Sequence, residues 1–178
     1  AGMKLKELIE NGTLTKEKLP NAFDTDGKIK IGYVGAFPYA EVVSGYTAFF
    51  LGIQSIVPDV AMTVKYTTSW FSQERESEVA KFLMSEGCVI IGQHADSTGA
   101  PTAVQTEYEE SEKVCFSVGY NVDMLSVAED VALTSSTNNW EVYYEYLFKT
   151  IAEGGKPAAE WSKGYDVNAV GTTTLGSA

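Results

Sequence analysis

One histidine and two cysteines among 178 residues leave little material for a metal centre or a thiol-based active site. His94 stands alone and no Cys-x-x-Cys pair occurs, whereas structural zinc sites draw on sets of such ligands at short spacing. Basic residues are scarce as well: 13 Lys and Arg face 24 Asp and Glu, giving a formal net charge of -11 at pH 7. With no basic patch to offset the acids, the chain lacks the electrostatic footprint of a nucleic-acid surface. No window reaches the roughly 18 apolar residues of a membrane span; the longest candidate run, Ala48 to Val57, is broken by Gly52, Gln54 and Ser55. The glycines Gly32, Gly35 and Gly92 form neither Gly-x-Gly-x-x-Gly nor a Gly-Lys-Ser/Thr loop, so a cofactor signature is missing. A Gly-x-Ser-x-Gly elbow is missing too, and His94 has no identifiable nucleophile to serve. The residues therefore predict no catalytic group, no metal and no cofactor.

The cysteines carry one structural expectation. Cys88 and Cys115 each stand four residues before the glycine that ends a strand-like run, Gly92 and Gly119. If those strands are neighbours, the thiols lie side by side. A disulfide across adjacent parallel strands is geometrically awkward, and cysteine is a common small core residue, so two buried free thiols are expected.

What is present is a repeated unit. Cys88 to Pro101, CVIIGQHADSTGAP, opens with the β-branched run Val89-Ile90-Ile91, too short for a helix and suited to a buried strand. Gly92 ends the run, and Gln93, His94, Asp96 and Ser97 follow at once. Ser97 or Thr98 then serves as N-cap, with Pro101 in the first turn of a helix. Lys30–Gly35, Met62–Tyr66 and Val114–Gly119 follow the same course and lead into Ala36-Phe37-Pro38, Thr67–Ser72 and Tyr120–Asp123. Four strands thus deliver aromatic and polar side chains to one rim. Open α/β sheets bind ligands there, outside the carboxyl ends of their strands.

In chain order, a short helix spans Gly2 to Asn11, and Thr13 to Asp26 is a surface excursion closed by a turn at Asp24-Thr25-Asp26-Gly27. A calcium loop is excluded at that turn because Gly35 stands where the twelfth-position carboxylate belongs. Helices are expected over Glu41–Ile56, from Ser72 to Gly87, over about Ala100–Glu112, and from a cap at Thr137–Glu141 through Ile151. Val79, Phe82 and Leu83 are expected to face the sheet. A fifth strand covers Val131–Ser135 and a last one Tyr165–Val170. The pattern predicts a three-layer α/β/α sandwich with a mainly parallel sheet. Residues 1–28 form a leading helix and excursion, and residues 29–178 the ligand-binding lobe. The opening Ala1-Gly2-Met3-Lys4 is already helical in period without an N-cap, as inside a larger protein.

Six residues are candidates for the rim. Trp70, between Ser69 and Phe71, either faces a ligand or packs as a helix aromatic. Phe37, held by Pro38, is a similar case, and the two on opposite sides of a cleft would suit a flat ring. His94 and Asp96 suit hydrogen bonding better than acid–base work. Asn121 and Asp123 suit a hydroxyl-rich sugar, against the alternative of an Asx-turn at Asp123.

These segments carry a resemblance. IGYVGAFPYAEVVSGYTAFFLGIQSIVPDV, YTTSWFSQERESEVAKFLMSEGCVIIGQHADSTGAP, SVGYNVDM and LTSSTNNWEVYYEYL are similar, in order, to the basic membrane protein family, from Ile29 to about Lys156. These are lipoprotein substrate-binding components of ABC importers, purine nucleosides being ligands of the best-known branch. The resemblance implies a type I periplasmic-binding-protein fold, with this chain mainly the second of two lobes and the first lobe absent. It implies base stacking at Trp70 and base or sugar contacts at His94, Asp96, Asn121 and Asp123. Asn121 stands where nucleoside-binding members often carry an acid. The implied partners are a purine nucleoside or nucleobase, an ABC permease and the first lobe, in a membrane-anchored, extracytoplasmic parent. The competing readings are a sugar-binding protein, the effector domain of a transcription regulator with the same fold, and, third, a doubly wound enzyme.

Overall fold

Strand residues point alternately to the two sides of a sheet, and the sequence uses that period to serve two cores. The computed structural model describes residues 1–178. It holds β1 (Ile29–Gly35), β2 (Val60–Tyr66), β3 (Ile90–Gln93), β4 (Phe116–Tyr120), β5 (Ala132–Asn138) and β6 (Val170–Thr172), in the order β2-β1-β3-β4-β5-β6. The first five strands run parallel, and β6 pairs antiparallel to β5. On one face Ile29, Ile31, Ile90 and Leu133 pack with Leu5 and Leu8 of α1 (Gly2–Glu10) and Ile53 of α2 (Ala40–Gln54). On the other, Val34 and Ile91 pack with Ala80, Leu83 and Met84 of α3 (Gln73–Ser85) and Ala103 and Val104 of α4 (Gly99–Ser111). The expected three-layer sandwich is there.

Both cysteines are free and buried in the second core. Burial pushes the Cys88 thiol up to about 12, and the Cys115 thiol the same way, so neither forms a reactive thiolate near neutrality. The turn reading of Asp24–Gly27 holds: Asp24 Oδ1 accepts from the backbone N–H of Asp26 and of Lys28, and Gly27 supplies the left-handed φ of 82°.

Four expectations need correction. The last strand is not Tyr165–Val170 but Val170–Thr172, because Tyr165–Val167 makes a 3₁₀ turn and Asn168 takes a left-handed conformation. β5 continues to Asn138 instead of stopping at Ser135, since β6 pairs with Ser136, Thr137 and Asn138. Phe82 lies over the edge strand β2 and not over the buried centre of the sheet. It is 44% exposed, and Lys65 Nζ lies over its ring at 4.8 Å from the centre. Finally, α5 (Trp140–Ala152) joins neither helix layer, and none of its side chains is buried.

Candidate functional site

The strand order reverses direction between β1 and β3: the chain steps out to β2 and returns past β1 to β3. Such a switch point opens a crevice at the carboxyl ends of the strands, where the outgoing helices part. The loops after β1, β2 and β3 carry Phe37, Trp70 and Asp96 at that end of the sheet. Two of these loops are joined directly, as the Asp96 N–H donates to the Trp70 carbonyl at 2.8 Å.

Phe37 and Trp70 are neighbours and do not face each other across a cleft. Their ring centres lie 5.3 Å apart at a tilt of 56°, and Tyr39 completes a three-ring patch. Tyr39 stacks on Phe37 at 5.2 Å and 14° and approaches Trp70 to 5.9 Å. Pro38 fixes the backbone between the two rings, so both end on one side. Trp70 remains 38% exposed and Tyr39 54%, which leaves aromatic surface open for a planar ligand.

A chain of polar groups runs away from the patch across the ends of β3, β4 and β5. Asn121 Nδ2 donates to Asp96 Oδ1 at 3.3 Å, and Asn138 Nδ2 donates to Asn121 Oδ1 and to the Tyr120 hydroxyl, each at 3.1 Å. Asn121 is held in the left-handed region, φ 66°, which asparagine tolerates better than most residues. Asp96 is exposed, and its second carboxylate oxygen is free to accept from a ligand N–H or O–H. Between patch and chain stands His94, whose ring stacks on Tyr120 at 4.3 Å and lies 6.4 Å from Trp70. His94 is buried, and its Nδ1 has no hydrogen-bond partner. Burial keeps the Tyr120 phenol protonated above its usual range, so its hydroxyl stays a donor.

Five of the six candidates, Phe37, Trp70, His94, Asp96 and Asn121, therefore form one connected array. Asp123 stands apart: it is exposed, and its Oδ1 accepts from the Leu125 N–H at 2.9 Å, an Asx-turn geometry. Sequence reasoning misses three members. Tyr39 is visible in Phe37-Pro38-Tyr39. Tyr120 directly follows Gly119, which marks the end of β4 in the sequence pattern. Asn138 has the look of a helix cap, and only its pairing with Val170 in β6 shows that it belongs to a strand end.

Beside the array an open cleft of about 730 Å³ lies between α2 and the strand ends, lined among others by Tyr33, Gly45, His94, Tyr120 and Asn138. Gly45 matters there, since a Cβ would meet the His94 ring at 3.1 Å. The volume is in the range of small-molecule sites. Phe37, Trp70 and Asp96 do not line this cleft; they border the rim outside it. No group of three or more His, Cys, Asp or Glu side chains is placed to hold a metal ion.

Comparison with known proteins fits this geometry. Residues 27–175 match the family model described as ABC transporter substrate-binding protein PnrA-like. The chain is 37% identical over 123 residues to a purine-binding protein of Brucella abortus, covering 69% of this chain and 33% of that one. It is 34% identical over 124 residues to a putative ABC transporter glucose-binding protein of Haloferax volcanii, covering 70% of this chain and 30% of that one. Among solved structures, an ABC transporter solute-binding protein of Aeropyrum pernix superposes with a TM-score of 0.67 at 16% identity, over 82% of this chain and 40% of that one. The chain thus spans about a third of the length of these two curated relatives.

Proposed function

Because this chain belongs to the PnrA-like family of ABC transporter substrate-binding proteins, we propose that it is one lobe of a two-lobed receptor that captures a purine nucleoside or nucleobase and delivers it to an ABC permease. The observation that carries the ligand class is the adjacency of an aromatic patch and a polar chain on one rim. Phe37, Tyr39 and Trp70 offer ring faces to a base. Asp96, Asn121 and Asn138 offer acceptors and donors to hydroxyls or ring N–H groups further along the same rim. The Brucella relative, a purine-binding protein, supports the same reading. Asp123 is left outside the ligand contacts, its carboxylate being engaged by its own turn.

The second lobe is inferred from α5. Trp140, Tyr144, Phe148 and Ile151 fall on one helical face and are 61%, 49%, 65% and 55% exposed. The opposite side is already covered by the chain's own tail, with Trp161 against Tyr143 and Tyr146, and the Ala158 N–H on the Tyr146 hydroxyl. The whole excursion leaves the sheet at Asn138 and returns at Val170 through one antiparallel pair. In this reading the open row packs into the other lobe, and the permease receives the closed pair. Extracytoplasmic anchoring of the full-length protein belongs to the same reading.

Phe148→Glu tests the lobe contact. It is expected to destabilise the full-length protein by about 2 kcal/mol or more, the cost of placing an unpaired charge in an apolar interface. In this chain alone the position faces water, and the change should stay within about 0.5 kcal/mol. Equal effects in both, read from denaturant midpoints, would remove the argument.

The ligand is tested by a thermal-shift screen of the full-length protein against purine nucleosides, free bases and sugars. A ligand at 100 times its dissociation constant stabilises by about 2.7 kcal/mol. The second reading is a sugar receptor, favoured by the hydroxyl-matching chain Asp96–Asn121–Asn138 and by the glucose-binding Haloferax relative. A sugar response with none from purines would establish it and overturn the purine reading.

A further inference from the structure

A glutamate with no exposed surface lies beneath the rim array and holds two of its loops together. Glu76, in the first turns of α3, is 0% exposed. Its Oε1 accepts from the backbone N–H of Ser72 at 3.1 Å and of Ser97 at 3.2 Å. The first of these belongs to the turn that carries Trp70, the second to the turn that carries Asp96. Around it the same two turns are joined by the Asp96 N–H on the Trp70 carbonyl and by Gln73 Nε2 on Thr98 Oγ1, both 2.8 Å. Gln93 anchors the second turn from inside, its Nε2 donating to the carbonyls of Ala95 and Ser97. The other Glu76 oxygen, Oε2, has no partner.

We propose that Glu76 is a positioning residue of the ligand site: it clamps the Trp70 turn to the Asp96 turn and so sets the distance between stacking ring and accepting carboxylate. The part of this that concerns ligand affinity rests on the function proposed above; the clamp itself does not.

The chemistry of the join defines how the clamp works. One oxygen is enough to accept both N–H groups, so the neutral acid makes both bonds. Oε2 lacks a partner in either form, and a buried unpaired charge there costs more than a buried unpaired hydroxyl. Burial accordingly makes Glu76 hold its proton above the usual carboxylate range, against the opposing pull of the two N–H donors and of the Ser97 hydroxyl. The charged neighbour facing it from another element is Asp96, which acts in the same direction as burial. His94, on that same turn, is stacked on Tyr120, and the start of α4 has no titratable side chain. Arg75 on its own helix gives no counter-charge, because its guanidinium is directed to the Thr67 carbonyl and Thr68 Oγ1. A carboxyl whose proton is held more tightly in the folded state stabilises the fold below its unfolded value of about 4.5. That stability is lost as pH rises through the raised folded value. A glutamine side chain at this position would present the same accepting oxygen and cannot ionise.

The test compares wild type, Glu76→Gln and Glu76→Ala in the full-length protein. Trp70 is followed by fluorine NMR after 5-fluorotryptophan labelling, its resonance assigned with Trp70→Phe. Glu76→Gln is expected to keep the wild-type Trp70 resonance at pH 5 and to melt higher than wild type at pH 8, the gain shrinking towards pH 4.5. Glu76→Ala is expected to shift or broaden the Trp70 resonance and to weaken purine nucleoside binding about tenfold, the effect of losing one to two buried hydrogen bonds. An unmoved Trp70 resonance in a folded Glu76→Ala protein overturns the clamp. A melting difference between Glu76→Gln and wild type that is flat with pH overturns the neutral-acid form of it, and decides the matter even where Glu76→Ala does not fold. If no variant binds purines while the Trp70 resonance responds as stated, the clamp is supported and the purine reading falls.

Discussion

Trp70→Ala in the full-length protein is expected to weaken purine nucleoside binding by about 1–3 kcal/mol, the usual worth of stacking one base on an aromatic side chain. At about 1.4 kcal/mol per factor of ten, that is a loss of roughly 5- to 150-fold in affinity. The fold should survive, because Trp70 keeps 38% of its surface in solvent and Phe37 and Tyr39 remain stacked on each other without it. Trp70→Phe should recover part of the binding, as a smaller ring with the same face. Isothermal calorimetry on the three proteins separates the outcomes. Unchanged affinity in a folded Trp70→Ala protein would end the stacking assignment, and the polar chain would then have to carry recognition alone.

A large loss of stability is expected from Gly99→Ala. Gly99 opens α4 against the first residue of α3, and a Cβ there would collide with the Gln73 backbone carbonyl. Backbone cannot swing aside as a side-chain tip can. The two helices are also packed along their length by Ala80, Leu83 and Met84 against Ala103 and Val104, so neither can retreat alone. Overpacking of this kind costs about 3 kcal/mol, the upper part of its usual range. For a chain of this size that corresponds to a fall of roughly 6–12 °C in Tm. Because Gln73 also bonds Thr98 at this junction, ligand affinity should fall in parallel. A melting temperature within a degree or two of wild type would mean that the helix starts are not in firm contact.

The central parallel strands are legible in the sequence because their cue is local. Val89-Ile90-Ile91 ending at Gly92 is a run whose β-branching and length admit little but a buried strand. The residue that follows such a strand is placed at the rim by geometry, so Phe37, Trp70, His94, Asp96, Asn121 and Asp123 are singled out together, although Asp123 turns out to cap its own turn. Legibility stops where the cue is not local. Asn138 reads as a helix cap until β6, more than thirty residues later, extends β5 past it. Glu76 sits in a charged stretch, Gln73-Glu74-Arg75-Glu76, and nothing in that string separates the one buried acid from its exposed neighbours. Phe82 follows a helical apolar period that points it inward, yet it reaches only the edge strand, under Lys65, and stays 44% exposed. The row on α5 reads as one more layer helix, because an amphipathic period says that a face is to be covered and not by what.

By itself, then, the sequence determined the α/β class, the rim on which side chains gather, the lack of metal and cofactor signatures, and the resemblance to a family of substrate-binding proteins. Periodicity, β-branching and turn chemistry act over a few residues, and they suffice for that much. Tertiary structure alone decided that Phe37 and Trp70 share one patch, that Asp96, Asn121 and Asn138 form one chain, and that Glu76 is enclosed between two turns. It also set α5 apart from the sandwich. Those facts depend on which strands are neighbours, on register, and on what each helix packs against, and such long-range pairings leave no periodic trace in the order of residues.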